Sequence, residues 1–342
     1  MANPTTTTTP AHLEPSVLGT KEYWDNLYEK ELSNHADNPR DEGTVWFDDS
    51  DAEAKIVGFL DEREQQEQEQ EQEPGGEEPA RGWRLDRAAA SVLDLGCGNG
   101  SLLFALRDDG WTGRLLGVDY SERSVDLAKA VGRERRRRRR SSGRGSGQRR
   151  PGLGPDRDEE DGEDGEDGED GEEGAAGAAA EAARERQEAQ ARGEGPGGGQ
   201  DEDDDDEEAK VSFRVWDVLR GSVADLGPAD APGFPGWDLV LDKGTFDAVS
   251  LSDEIDPATG RRVFEGYGAR VLALLREGGL FVVTSCNWTE EELKVWFEDA
   301  TASSAAPRLR LAGRVEYPSF SFGGVKGQTI STLCFEKVAG KQ

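Results

Sequence analysis

SVLDLGCGNG, Ser91–Gly100, places three apolar side chains around one aspartate and then three glycines within five residues. The apolar half reads as a buried strand, because so short an aliphatic run suits a pleated surface covered on both faces. The glycine half reads as a tight turn, since only glycine enters left-handed backbone freely and leaves room for close approach. Downstream, SLLFALRDDG (101–110) reads as a helix closed by Gly110, and LLGVDY (115–120) as a second strand. Ser121 then caps a helix over ERSVDLAKAV (122–131).

The same alternation resumes further along. KVSFRVWDV (210–218), WDLVLDKG (237–244) and LFVVTSC (280–286) read as strands, and GRRVFEGYGARVLALLREGG (260–279) has helical apolar spacing up to a glycine pair. TEEELKVWFEDA (289–300) is a helix with Thr289 as N-cap and Glu292 at the capping-box position. RLRLAGRVEY (308–317) and TISTLCFEK (329–337) are two strands with no helical pattern between them. The spacing predicts an α/β fold, doubly wound, with a mostly parallel seven-stranded sheet and an antiparallel strand at one edge.

Composition bounds the rest. The chain has 342 residues and a net charge of −31. Asp61–Glu78 holds nine acids and one arginine in a Glu/Gln repeat, so 61–82 reads as a solvated acidic insert. Residues 132–208 open with an arginine tract, RERRRRRR (133–140), and become strongly acidic. Asp156–Glu208 alone carries 25 acids against 4 bases, so the low isoelectric point belongs mostly to this insert, read as disordered. With a disordered leader at 1–15, the folded part is a single domain over 16–131 and 209–342, about 230 residues.

Cys97, Cys286 and Cys334 are odd in number and show no C-x-x-C pair, against a disulfide framework or structural zinc. His12 and His35 lack ligand-type partners at metal spacing, so no metal site is expected. No apolar run approaches the ~20 residues of a membrane span, and the N-terminus lacks a signal-peptide pattern. A cytoplasmic monomer is expected, with the nucleus as the alternative compartment. RNA contact through the arginine tract stays open; DNA binding is not expected.

In such a sheet, ligands sit beyond the carboxyl ends of the strands at the switch point, where the opening stretch lies. Gly96, Gly98 and Gly100 form G-x-G-x-G, one residue shorter than the dinucleotide fingerprint and similar to S-adenosylmethionine sites. Cys97 fills the turn, with Asp94 before it. Asp119, 19 residues after Gly100, stands at the second strand's end, where an acid accepts ribose hydroxyls; Tyr120 follows it. This acid serves nicotinamide and adenosylmethionine sites alike. Asp217 is placed to take an adenine amino group, with Trp216 or Val218 packing the ring. WDLVLDKGTFDAV (237–249) delivers Asp242 and Lys243 to the same edge, turns at Gly244 and continues to Asp247. Tyr23, Trp24, Trp46, Phe47, Asn287 and Trp288 are candidate walls of a substrate channel. Two other functions stay open: a nicotinamide-dependent oxidoreductase, and a silent module binding RNA or a basic protein.

LGTKEYWDNLYEKEL (18–32), VWF (45–47), VLDLGCGNG (92–100), GVDYS (117–121), DKGTFDA (242–248), TSCNWTEEEL (284–293) and FSFGG (320–324) together point to a family. The chain resembles the seven-strand, S-adenosylmethionine-dependent protein-lysine methyltransferases, and closely the branch that methylates translation elongation factor 1-alpha. The resemblance covers nearly all of the chain outside the low-complexity stretches. It implies a Rossmann-like methyltransferase fold and S-adenosyl-L-methionine as cofactor. Gly96, Gly98 and Asp119 would then hold that cofactor, Asp217 its adenine, and Asp242 with Lys243 and Gly244 the entering lysine, Asp242 orienting the amine.

Overall fold

Val92–Leu95 (β1) is buried along its whole length, and the sheet is built outward from it. On one side it pairs in parallel with Leu115–Asp119 (β2), and on the other with Trp237–Lys243 (β4). Ser212–Val215 (β3) extends the sheet beyond β2, and Leu275–Ser285 (β5) extends it beyond β4, both in parallel. Ser331–Val338 (β9) then lies antiparallel to β5, and Arg308–Val315 (β6) closes the far edge antiparallel to β9. The order β3-β2-β1-β4-β5-β9-β6 makes β1 the switch point, where the winding reverses direction. Ser319–Phe322 (β7) and Val325–Gln328 (β8) form a separate hairpin. The computed structural model describes residues 10–72, 84–144, 211–227, 233–298, 306–322 and 325–340.

Strand periodicity divides the core in two. Val92, Leu115, Leu239, Leu241, Leu280 and Val282 face one layer. Their chain neighbours Leu93, Leu116, Val240, Phe281 and Val283 face the other. Lys21–Asp37 (α1), Ala52–Gln72 (α2), Ser101–Asp108 (α3) and Glu122–Arg144 (α4) contribute to the first layer. Thr245–Ser250 (α5), Tyr267–Leu274 (α6) and Glu290–Glu298 (α7) contribute to the second, where Phe246, Phe264, Tyr267, Trp296 and Phe297 interlock. Each sheet face is thus covered, which is why the strands read as continuous apolar runs.

Several sequence expectations are adjusted by the structure. The antiparallel strand is β9, one position in from the edge, because β6 turns back to pair on its outer side. The helix expected over 260–279 is shorter: a 3-10 turn at Val263–Gly266 leads into α6, and Leu275 already belongs to β5. The capping box at Thr289 and Glu292 is formed reciprocally, the Thr289 N–H donating to Glu292 Oε2 at 2.9 Å.

The first half of the Glu/Gln insert is helix rather than a solvated spacer, because α2 runs through to Gln72. What holds it there is charge: Arg87 reaches Glu64 at 2.6 Å, Asp61 at 2.7 Å and Asp109 at 3.2 Å. Likewise α4 carries the arginine tract as helix, with Arg135 and Arg138 on Glu42 and Arg139 on Asp108. The leader is tied down from residue 10: Arg262 Nη1 donates to the Leu13 carbonyl at 2.7 Å, and His12 meets Phe264 edge-on. The remaining parts of these three segments, 1–9, 73–83 and 145–210, lie outside the described residues. The chain divides into two units, Met1–Ser142 with Glu208–Gln342, and Gly143–Glu207, the second almost entirely outside the described residues.

Candidate active site

The turn after β1 behaves as the glycines require. Gly96, Gly98 and Gly100 have φ of +62°, +55° and +82°. A Cβ at Gly96 would lie 2.0 Å from Thr245 Oγ1, and one at Gly98 2.7 Å from the Tyr28 hydroxyl, so these positions need glycine for space as well as conformation. The turn is fixed from both sides: Thr245 Oγ1 donates to the Leu95 carbonyl at 2.7 Å, and Ser124 Oγ to that of Gly98 at 2.9 Å.

Asp119, buried at the end of β2, accepts the Gly98 N–H at 3.2 Å and the Ser121 N–H at 2.9 Å. Burial pushes its carboxyl above the usual range, while those donors and the Lys21 charge oppose the rise. Gly96, Asp119 and Tyr120 line a cleft of about 440 Å³. Beyond β3 its wall continues as Val215, Trp216 and Asp217. Val215 is a large apolar side chain left 45% exposed, a surface suited to an aromatic ring. Asp217 Oδ1 accepts the Leu219 and Arg220 N–H groups, and Arg220 pairs with both Asp217 and Glu254.

The N-terminal segment roofs this cleft. Thr20 caps α1, and Leu18, Gly19, Lys21, Trp24 and Tyr28 face inward. Gly19 sits so close to the Leu251–Ser252 backbone that a Cβ there would lie 2.3 Å from it. Trp24 donates to the Leu18 carbonyl at 2.7 Å and packs edge-on against Trp46. Phe47, held at φ +65°, lies over Gly244, whose added Cβ would meet the ring at 3.2 Å. Left-handed backbone at a bulky residue costs about 1–3 kcal/mol, and here it aims Phe47 at the mouth of the β4 turn.

The acids after β4 divide differently from the sequence expectation. Asp242, assigned above to orient the amine, is 1% exposed and does not line the cleft. Its Oδ1 accepts the Thr245 N–H at 2.8 Å, and its Oδ2 the Phe246 N–H at 3.0 Å and the Tyr267 hydroxyl at 2.5 Å. It is the cap of α5, and burial lifts its carboxyl to about 7. Lys243 borders the cleft, but its ammonium is held by Glu53 at 3.4 Å and the Trp46 carbonyl at 3.1 Å. It therefore struts the Trp46–Phe47 loop against the sheet.

Gly244 turns at φ +91° and lines the cleft, as do Trp46, Phe47 and Asn287. Asp94, Cys97, Gly98 and Gly100 support the floor without lining it; Asp94 is buried, and Lys243 and Glu53 are the charges that act on it most. Trp288 is 3% exposed, donates to Ser250 Oγ and does not line this cleft. Tyr23 packs edge-on against Trp24 and does not line the cleft.

Sequence reasoning named Asp247 without a role, and it missed the positions of Lys21, Tyr28 and Val215. Asp247 lines the cleft and is 5% exposed. The Ser285 hydroxyl donates to its Oδ1 at 2.5 Å and the Cys286 N–H to its Oδ2 at 2.8 Å.

Residues 86–141, from before β1 into α4, match a family model described as a methyltransferase domain. The chain is 31% identical to protein-lysine N-methyltransferase EFM4 of Saccharomyces cerevisiae over 96% of this chain and 97% of that protein. It is 31% identical to the efm4 enzyme of Schizosaccharomyces pombe over 95% of each chain. EEF1A lysine methyltransferase 2 of Homo sapiens is 26% identical over 95% of this chain and 88% of its own. Likeness of that grade along nearly the whole of both chains, joined to a glycine turn and an acid at the switch-point cleft, means that the protein belongs to the S-adenosylmethionine-dependent protein-lysine N-methyltransferases.

Proposed function

We propose that this chain methylates a lysine of translation elongation factor 1-alpha in the cytoplasm, acting as a monomer. The observation that carries the substrate is the whole-length likeness to EEF1A lysine methyltransferase 2 of Homo sapiens and Danio rerio, while the two yeast relatives support lysine methylation.

The cleft's residues fit the cofactor. The bare turn at Gly96 admits a methionine moiety against main chain, Asp119 suits the two ribose hydroxyls, and Val215 with Trp216 offers faces for the purine. Asp217, already oriented by the Leu219 and Arg220 N–H groups, is the acceptor for the adenine amino group. Gly244 and Asn287, under Phe47, surround the remaining opening, through which the lysine enters.

When bound, S-adenosylmethionine supplies a sulfonium methyl: the amine lone pair forms the N–C bond and the C–S pair leaves on sulfur. The chain's own contribution is alignment and desolvation. At a reference pKa of ~10.4, only about one lysine in a few thousand is neutral at pH 7, and only that form has a lone pair. Trp24, Trp46 and Phe47 reduce the water around the amine, which disfavours the ammonium, and the proton departs to solvent. In-line approach is worth several kcal/mol of the barrier, and the Phe47–Gly244 constriction is built to impose it.

The test is transfer of a labelled methyl group into purified, unmethylated elongation factor 1-alpha, with mass spectrometry of the product. Labelled lysine on that protein is expected. Labelled RNA, or a labelled small metabolite with no labelled protein, overturns the substrate.

A further inference from the structure

Two cavities meet at the carboxyl ends of β4 and β5. The first is the cleft described above. The second is a groove of about 570 Å³ between the Ser285–Glu291 turn and the Gln328–Ser331 segment, with Arg314 on its rim. Cys286 and Asn287 line both, so that pair is the wall the groove and the cleft have in common.

Asp247 stands at this junction. A carboxylate offers about four acceptor positions. The Ser285 hydroxyl and the Cys286 N–H fill two, and the Cys286 thiol approaches a third at 3.3 Å. The Asn287 N–H acts on it as well, and the small exposed surface of the carboxylate belongs to the cleft. The neighbouring acids are matched by positive charge: Asp217 and Glu254 share Arg220, and Asp119 feels Lys21. Around Asp247 the donors are hydroxyl, amide and thiol groups, and among the described residues it forms no ion pair. A desolvated anion without a positive partner is costly, and an ammonium arriving in the cleft offsets that cost. Asp242, five residues earlier, cannot serve, because its oxygens are taken by the cap and by Tyr267.

Resting on the lysine-methyltransferase reading, we propose that Asp247 receives the side-chain ammonium of the substrate lysine, and that the groove beyond Asn287 seats the extended polypeptide carrying it. The groove wall suits a main chain: Asn287, Thr289, Gln328 and Thr329 place amide and hydroxyl groups along it. Glu290 and Glu291 line the groove too, paired with Arg314 and Lys294. Asp247 holds the charged amine at the Gly244 turn until its proton leaves to water, after which the neutral amine is free to advance.

The test uses full-length protein and unmethylated elongation factor 1-alpha, with KM and kcat for that substrate, S-adenosylmethionine affinity by calorimetry, and melting temperature. Asp247→Asn keeps an acceptor for the Ser285 hydroxyl and removes the charge; KM for the protein substrate is expected to rise at least tenfold, with cofactor affinity within about twofold. Gln328→Trp narrows the groove away from the cofactor, and is expected to raise the same KM and leave cofactor affinity unchanged. In a binding assay with S-adenosylhomocysteine present, both variants are expected to lose elongation-factor affinity in proportion. An unchanged KM in either variant overturns the proposal, as does a fall in cofactor affinity or melting temperature that matches the loss of turnover, which makes Asp247 only a pin of the Ser285–Asn287 turn. Absence of transfer by the wild type overturns the substrate reading and this proposal together, whereas normal wild-type transfer with unaffected variants overturns this proposal alone.

Discussion

The Tyr267 hydroxyl donates to Asp242 Oδ2 at 2.5 Å, joining the first turn of α6 to the cap of α5 beneath the cleft. Both side chains are buried, and the pair fixes where the Gly244 turn points without touching what binds there. Asp242→Asn keeps one acceptor for the α5 N–H groups and an amide for Tyr267, so turnover is expected within about threefold of wild type. Asp242→Ala removes the cap and strands the Tyr267 hydroxyl, costing about 2–4 kcal/mol. Urea unfolding with activity measured in parallel checks both; a collapse of kcat in well-folded Asp242→Asn returns this residue to the chemistry.

Protonation of the same carboxyl sets a pH dependence. Burial lifts Asp242 from 3.8 to about 7, so between these values the folded protein keeps a proton that the unfolded chain has lost. Stability from this group therefore falls as pH rises from about 4 to about 7, and levels off above. Asp94, Asp119 and Asp247 are raised by burial too and act in the same direction. Asp242→Asn is expected to gain stability relative to wild type as the pH is raised through that window. Parallel pH profiles of unfolding free energy for the two proteins would refute it.

Cofactor affinity depends on the turn and its acid. Gly96→Ala places a methyl 2.0 Å from Thr245 Oγ1 at φ +62°, and calorimetric titration of S-adenosylmethionine is expected to show no saturable binding. Asp119→Ala removes an acceptor for the ribose hydroxyls and the brace on the Gly98 N–H; affinity is expected to fall at least tenfold, since hydrogen bonds to a charged group are worth about 1.5–3 kcal/mol. Wild-type affinity in Asp119→Ala would move the ribose elsewhere.

Lys243 is expected to act through position rather than chemistry. Lys243→Met leaves Glu53 largely buried opposite an apolar group and is expected to destabilise the protein by about 3 kcal/mol. Adding Glu53→Gln removes the stranded charge, and most of that loss should return. A double variant as unstable as the single one would show that the pair is not coupled.

The arginine at position 87 bears on a stretch that sequence alone misjudged. Asp61–Gln72 has no large apolar residue, so nothing in its periodicity announces a packed helix. It is held by Arg87, which arrives from just before β1 and satisfies Asp61, Glu64 and Asp109 together. Arg87→Met is expected to lower the melting temperature by several degrees and to raise amide exchange across residues 61–72, read by mass spectrometry; unchanged exchange would assign the helix to other forces.

Sequence by itself determined the alternation of strand and helix, the switch point at Ser91–Gly100 and the acid at Asp119. These rest on local rules: period-two burial within a strand, and left-handed backbone that glycine alone adopts freely. Only the tertiary structure decided which acid after β4 faces the cleft. Asp242 and Asp247 are alike in the sequence, and their fates follow from donors far along the chain. Tyr267 captures the first, and Ser285 with Cys286 turns the second toward the cleft. A carboxylate goes where buried donors satisfy it, and those donors are brought beside it by the packing of α6 and β5 against β4, which no short-range pattern encodes.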